Sequence, residues 1–393
     1  MKIGVMGSGL MGASAAKYLV QRREVETVRL ADIDQSRLDQ AAKSLRSKKL
    51  VTQVVEAGER SSLVEAIKGN DAVLMALPHL AAYSADLAAI EAGVNAVDLV
   101  FTDEQMKLHP KFSKAGLTLI PGCGLAPGIA QILAGEGARQ MDSIDEVRIL
   151  VGGLPQAPRP PLNYKIVFSL ESVLQMYSST NVRIIRDGKL KTTTAMTEIE
   201  KVSFPKPFED MECFLTDGAA TLIHTMRGRV RNLEEKTIRY PGHAEQIKTL
   251  IGTGLTSTKP VRVGKGQVVP RTLLSDVLGP KLLLGKGKDV TLLRVTVTGR
   301  KGDANVKQAY ETIDYYDDRE KVTSMARTTA FTGAIAAIML ADGKVKETGL
   351  LPPETCFAGP RFMTLFQRLA EKNVIISSTV TSTRPDISKP VKP

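Results

Sequence analysis

Two side chains in the second half of the sequence have the chemistry to take and return protons near neutral pH. Lys165 ends the stretch GGLPQAPRPPLNYK, which puts four prolines into residues 155–161. His243 ends the turn Arg239-Tyr240-Pro241-Gly242-His243. An imidazole titrates near neutrality without help, whereas a lysine amine does so only where burial or a neighbouring cation disfavours its charged form. Prolines restrict the free chain, so a loop built from them holds the following side chain in register at a lower entropic cost. Proline also fixes φ and lacks a donor, which predicts a stiff loop rather than a central strand. Each residue keeps a plainer reading: Lys165 as a solvated strand lysine, His243 as a structural group opening the helix AEQIKTL.

The third chemical feature is Gly7-Ser8-Gly9-Leu10-Met11-Gly12, a GxGxxG motif between the strand KIGVM and the helix LMGASAAKYLV. Asp32 follows Gly12 by twenty positions, at the end of VETVRLAD. This context predicts a dinucleotide site. The first glycine permits the turn, the second lets backbone approach a pyrophosphate, and the third lets helix and strand pack closely. The helix N-terminus then meets the phosphate charge. Asp32 would accept from the ribose hydroxyls and repel a 2′-phosphate, which favours NAD over NADP.

Ligands of open α/β sheets bind at the carboxyl ends of the strands, so Leu77, Pro78 and Cys123 are expected beside the nicotinamide, and Asp98 as polar lining or a turn aspartate. Cys123 also reads as a small apolar filler. Tyr164 precedes Lys165. Asp217 lies in FLTDG, a turn signal with a substrate-facing carboxylate as its second reading. Arg239 precedes the histidine turn. Arg327, near the start of SMARTTAFTGAIAAIML, is placed to clamp a carboxylate or to pair on the surface.

These residues need two frameworks to position them. From Met1 to about Ile120, short β-type runs (KIGVMG, VETVRLAD, VTQVV, DAVLMAL, NAVDLV, LTLI) alternate with helical patterns, which predicts an N-terminal Rossmann-type, doubly wound parallel sheet. After PGCGLAPGIAQILAGEGARQ the runs lengthen and alternate (EVRILV, KIVFS, VRIIRDGKL, KTIRY, VTLLRVTVTG). A second α+β domain with a mixed or antiparallel sheet is expected. The boundaries read as 1–125, 126–323, a C-terminal segment 324–375 returning to the first domain, and a flexible tail 376–393 whose apolar content is low.

Composition narrows the function classes. At 393 residues and 43% hydrophobic, the chain can bury two cores. Three scattered cysteines suit neither a disulfide framework nor a metal site, which points to a reducing cytoplasm, and four histidines show no ligand spacing. No metal is expected. The net charge of +11 comes without a nucleic-acid-binding signature, so it reads as a solvated basic surface with no nucleic-acid partner. Glycines interrupt the apolar N-terminus, so no signal peptide is expected, and the longest apolar run, Ala330 to Ala341, falls short of the roughly 20 residues that span a bilayer. A soluble protein with no membrane partner is expected.

Together, GSGLMG, PGCGLAPGIAQILA, GGLPQAPRPPLNYKIVFS, FLTDG, RYPGHAEQIKTL, SMARTTAFTGA and GLLPPE resemble the saccharopine dehydrogenase superfamily, and within it most the L-lysine 6-dehydrogenases. The resemblance runs from residue 3 to about 353. It implies a Rossmann domain, a central substrate domain carrying a homodimer contact, and NAD-dependent oxidative deamination of a small amino acid at the lysine ε-carbon, giving a semialdehyde that cyclises. The segment from Val261 to Val295 looks more like the wider superfamily, which includes saccharopine and carboxynorspermidine enzymes, and a non-catalytic nucleotide-binding regulator is the alternative from a different class. Tyr240 stands where the lysine enzymes often carry tryptophan.

Overall fold

The computed structural model describes residues 1–56, 59–167 and 170–384. The chain divides into two compact units, Met1–Glu136 with Ala220–Thr225 and Ala326–Ile375, and Gly137–Ala219 with Met226–Met325 and the described residues from Ile376 on.

In the first unit, six strands come in the order the apolar runs set: β1 (Lys2–Met6), β2 (Thr27–Asp32), β3 (Leu50–Val54), β4 (Ala72–Met75), β5 (Asn95–Asp98) and β6 (Thr118–Ile120). With β17 (Gly349–Leu350) they form a seven-stranded sheet, ordered β17-β6-β5-β4-β1-β2-β3. Every pairing in it is parallel. Parallel strands need long crossovers, and helices such as Leu10–Val20, Gln35–Leu45 and His79–Ala92 supply them. The strand order reverses beside β1, so the β1 and β4 ends form a topological switch point. β4 is buried along its whole length, as a strand covered on both faces must be.

The helix Ser324–Ala341 is long and apolar enough by length and composition to cross a membrane, yet 89% of it is buried inside the protein. From Ala326 on it packs in the first unit. A Cβ on Gly333 would sit 2.6 Å from Leu99 and 2.8 Å from Leu74, so only a small residue lets this helix settle on the β4–β5 region. Phe331 meets Tyr18 of the first helix with ring centroids 4.9 Å apart.

The second unit is built on a nine-stranded mixed sheet. Its strands are β7 (Ser143–Pro155), β8 (Val182–Arg186), β9 (Lys189–Thr193), β10 (Glu200–Val202), β11 (Met211–Leu215), β12 (Val230–Arg239), β15 (Asp289–Lys301), β16 (Ala304–Tyr315) and β18 (Ser377–Thr383). A two-stranded hairpin, β13 (Val261–Val263) and β14 (Gly266–Val268), lies apart from it. The main path runs β10-β11-β12-β7-β15-β16-β18, with β12 and β7 parallel.

One face carries Leu150, Leu154, Cys213, Ile238, Val290 and Leu292 in an apolar cluster. The opposite face carries Glu235, Thr237 and Arg239, because side chains alternate along β12.

Three expectations change here. Gly152–Pro155 belong to β7, a central strand, rather than to the loop. Pro155 is tolerated because pairing with β12 stops at Val151, leaving it opposite β15 alone. The run YKIVFS is not a strand: Ile166 makes a single bridge to Leu283, Tyr164 and Val167 are buried, and Phe168 and Ser169 lie outside the described residues. The expected tail contains β18, which pairs with β16 through Asn305↔Thr383 to Glu311↔Ser377. Backbone pairing along an open edge orders this strand although its side chains are exposed. Residues 385–393 of that tail lie outside the described residues.

Candidate active site

At the first βα turn the glycines divide their work as a dinucleotide loop requires. Gly7 has φ 98°, and a Cβ there would run into the Ala76 carbonyl. A Cβ on Gly12 would sit 2.8 Å from the Gly7 carbonyl carbon, so Gly12 is what lets the helix close on the strand. A methyl group placed on Gly9 would meet nothing within 4 Å, and this residue caps the helix Leu10–Val20 with no side-chain bond. Open space above a helix N-terminus is what a pyrophosphate needs.

Ser8 donates to Asp32 through its backbone N–H at 2.5 Å and its hydroxyl at 2.8 Å, and the Asp34 N–H donates at 2.9 Å. Burial pulls the Asp32 carboxyl upward, but these bonds outweigh it and hold the group below the usual carboxylate range. The residues therefore fit a dinucleotide whose ribose meets a fixed anion. Leu10 is exposed and Met11 half-buried at the mouth of the turn. Leu77 follows β4, and Pro78 caps the helix His79–Ala92.

Asp98 ends β5 and is fully buried. Its Oδ1 accepts from the Val100 N–H at 2.9 Å and its Oδ2 from Gln105 Nε2 at 3.0 Å. The same Gln105 nitrogen donates to Asp86 at 2.6 Å, and Asp86 Oδ1 has no partner. Burial raises both carboxyls, Asp86 to about 7, and Asp86 adds to the rise at Asp98. Asp98 thus braces the turn after β5 through a shared amide. Cys123 donates its backbone N–H to the Asp98 carbonyl at 2.8 Å, and burial pushes its thiol well up, as for an inert filler.

In the second unit the proline segment and the histidine turn are bonded to each other. Tyr240 Oη donates to the Pro155 carbonyl at 2.8 Å, and His243 Nδ1 lies 2.9 Å from the Leu162 carbonyl. A carbonyl only accepts, so Nδ1 carries the proton and Nε2 is the acceptor. Tyr177 Oη sits 3.1 Å from Nε2 and takes a 2.6 Å bond from Arg239 Nε. The chain of donors therefore runs Arg239, Tyr177, His243, Leu162.

Burial, with Arg239 adding to it, pushes the imidazole down to about 3. His243 is therefore not the near-neutral acid or base expected of a free imidazole: both ring nitrogens are committed, and the residue clamps the end of the proline segment.

Arg239 is 3% exposed. Its guanidinium lies 4.9 Å from the centroid of Tyr164 and 5.7 Å from that of Tyr177. It also donates to the Ile238 carbonyl at 2.7 Å, and among the described residues no carboxylate pairs with it. The Tyr164 hydroxyl is buried without a partner. Lys236, the other buried cation of this unit, is held by Glu200 at 2.6 Å and by Glu198 and Glu234.

The remaining candidates have other partners. Lys165 is half-buried and donates to the Lys281 carbonyl at 2.7 Å. Asp217 pairs with Arg183, whose Nη2 is 3.0 Å away. Arg327 belongs to the first unit and donates to the Lys372 carbonyl at 3.2 Å. A surface cavity of about 300 Å³, lined by Asp145, Asn305, Lys307 and Thr381 among others, contains none of these residues.

Sequence reasoning missed Tyr177 and Glu235. Glu235 is buried, accepts from the Thr216 hydroxyl at 2.5 Å, and is pushed up to about 8 by burial. Glu235 stands in the charged run Glu234-Glu235-Lys236, which carries no signal of its burial. Among the described residues no cluster of histidine, cysteine or acid side chains is arranged to hold a metal.

Comparison with known proteins follows the same two-part division. Residues 3–120 match the saccharopine dehydrogenase NADP binding domain, and residues 124–375 the saccharopine dehydrogenase C-terminal domain. The rat mitochondrial alpha-aminoadipic semialdehyde synthase is 23% identical over 97% of this chain and 48% of its own length, so the chain spans about half of that relative. Carboxyaminopropylagmatine dehydrogenase of Synechocystis is 23% identical over 90% of this chain and 92% of its own.

Apo saccharopine dehydrogenase (L-Glu forming) of Saccharomyces cerevisiae shares the fold, with a TM-score of 0.79 at 19% identity over 97% of this chain and 99% of that one. With both halves of its length matched in order, the chain belongs to the saccharopine dehydrogenase family, its first half matching the family's nucleotide-binding domain.

Proposed function

We propose that the protein catalyses NAD-dependent oxidative deamination of the ε-amino group of L-lysine, releasing ammonia and the 6-semialdehyde. The observation that carries this reading is Arg239, a buried guanidinium with no carboxylate within ion-pair distance among the described residues, although Glu235 of its own strand and Glu212, opposite it on β11, belong to the same neighbourhood. An unpaired buried charge is costly, and a bound carboxylate removes that cost. Among the described residues of the second unit the buried cations are Lys236, already neutralised, and Arg239. One open cation suits a substrate with one carboxylate, such as lysine, better than the several acids of a saccharopine-type substrate.

The dinucleotide, when bound, supplies the hydride acceptor. Asp32, held as an anion at the end of β2, supports NAD over NADP. The protein must also supply a neutral amine. At pH 7 a free lysine ammonium lies about 3.4 units below its pKa, roughly 4.6 kcal/mol at 1.36 kcal/mol per unit. A dry site offsets this by disfavouring the cation. The proline segment, clamped by Tyr240 and His243, supports such closure, with Tyr164 stacked on Arg239 at its end. In this reading Lys165 is held by the Lys281 carbonyl and His243 acts by positioning.

The test compares L-lysine with 1,5-diaminopentane, which lacks the carboxylate. Arg239→Leu should lower kcat/KM for lysine by about 10- to 100-fold, the range of a charge-assisted hydrogen-bonded pair, and leave the diamine unaffected. Equal effects on both would defeat the assignment. A secondary-amine substrate is the second reading, favoured by the Synechocystis relative's name and coverage; NAD reduction by saccharopine or carboxynorspermidine without ammonia release would establish it.

A further inference from the structure

Resting on the deamination reading, the geometry points to Glu235 as the proton reservoir of this site, connected to it through the hydroxyls of Thr216 and Thr237. Glu235 lies on β12, on the face that also carries Thr237 and Arg239, and all three are buried. The Thr216 hydroxyl is 2.5 Å from Glu235 Oε2 and 2.8 Å from the Thr237 hydroxyl. The Gly218 N–H also donates to the carboxyl, and a Cβ on Gly218 would overlap it.

The charged groups that face it are Asp217, from the turn after β11, and Arg239 of its own strand. Asp217 is neutralised by Arg183, and β7 presents Ile149 opposite Glu235.

Three oxygens in a row make a reversible path. With Glu235 ionised, Thr237 donates to Thr216 and Thr216 to the carboxylate. With Glu235 protonated, each bond can reverse, because a hydroxyl both donates and accepts. The spacing fits the substrate as well. Thr237 and Arg239 are two strand steps apart, about 6.6 Å. A lysine side chain spans about 6 Å from its carboxylate carbon to its ε-carbon across five bonds. In this proposal the substrate carboxylate at Arg239 and the reacting carbon beside Thr237 share the face of β12 that carries Glu235.

The protons balance. The substrate enters as the free amine, its ammonium proton left in solvent, which accounts for the single proton the overall reaction releases. A nicotinamide dinucleotide, when bound, would accept the hydride from the ε-carbon. When water adds to the resulting imine, Glu235 takes one of its protons and returns it to the carbinolamine nitrogen. The C–N bond breaks, and the hydroxyl proton leaves with ammonia as ammonium. Burial holds Glu235 at about 8, where both forms are populated near neutral pH.

The experiment uses the full chain with NAD and L-lysine. Glu235→Gln should lower kcat about 100-fold, within the usual range for acid–base catalysis, and remove the ascending limb of the kcat pH profile near 8. Glu235→Asp should restore part of it. Thr216→Val should lower kcat at least tenfold while Glu235 remains. Independently of turnover, infrared difference spectra should show a protonated carboxyl band that titrates in the wild type and Thr216→Val and is missing from Glu235→Gln, with melting temperatures reporting that each variant folds. Wild-type kcat and pH profile in Glu235→Gln overturn this inference alone. Full activity in Thr216→Val overturns the relay. If no amine reduces NAD in the wild type, the deamination reading and this inference fall together.

Discussion

Replacing Gly9 and Gly12 by alanine, one at a time, separates ligand binding from folding at the same turn. At Gly12 the new methyl would lie 2.8 Å from the Gly7 carbonyl carbon and nearer still to its oxygen, where real Cβ contacts stay beyond 3.0 Å. Helix and strand would have to part, and overpacking of that kind costs roughly 1–3 kcal/mol. At Gly9 the methyl meets nothing within 4 Å, and φ is −64°, which alanine adopts freely. Gly9→Ala should leave the melting temperature nearly unchanged, since the freedom the unfolded chain loses, about 0.4–1 kcal/mol, is offset by alanine's poorer fit at an N-cap.

That same methyl occupies the approach of a pyrophosphate, so NAD affinity should fall at least tenfold, or about 1.4 kcal/mol. Differential scanning calorimetry and NAD titration by calorimetry read the two effects. Gly12→Ala should lose stability, Gly9→Ala only binding. Unchanged NAD affinity in Gly9→Ala would refute the assignment of the loop to the cofactor.

Asp32→Ala should reduce the preference for NAD over NADP, read as the ratio of kcat/KM values; an unchanged ratio would remove Asp32 from cofactor choice. Asp86, raised in the folded state, contributes stability that is full below the unfolded carboxylate pKa and declines as pH rises through about 7. Asp86→Asn keeps an acceptor for Gln105 without the charge, so its melting temperature should fall less than the wild type's between pH 5 and pH 8; parallel declines would count against the shared-amide brace. His243→Ala should lower stability by about 1–3 kcal/mol, as two buried partners lose their bonds, while the shape of the kcat pH profile is retained. A profile that loses a limb would restore His243 as an acid or base.

The Rossmann half was legible because its signals are local. Gly7, Gly9 and Gly12 act within a dozen residues, and strands buried on both faces write themselves as apolar runs. The second half was read less completely because its decisive contacts are remote in sequence. His243 is a clamp only because Leu162, 81 residues away, presents its carbonyl, and Tyr177, 66 residues away, fills the other nitrogen.

Pro155 looked like a loop residue because the end of the β12–β7 pairing cannot be read from its neighbours. β18 was missed because an edge strand ordered by its backbone needs no apolar pattern. Glu235 was passed over for the opposite reason: its surroundings in sequence read only as strand, and its burial depends on Thr216 and Gly218 of another strand's turn. Similarly, Glu354 lies in the recognisable run GLLPPE, but its role, accepting from Thr221 at 2.8 Å and Thr225 at 2.6 Å, is set by a distant excursion of the chain.

Oxidative deamination at the ε-carbon is tested most directly by a turnover experiment with NAD and L-lysine labelled with ¹⁵N at either nitrogen. Ammonium carrying the ε-nitrogen label is expected in equal amount with NADH, and none from the α-nitrogen. Release of the α-label, or NADH formed without ammonium, would contradict it.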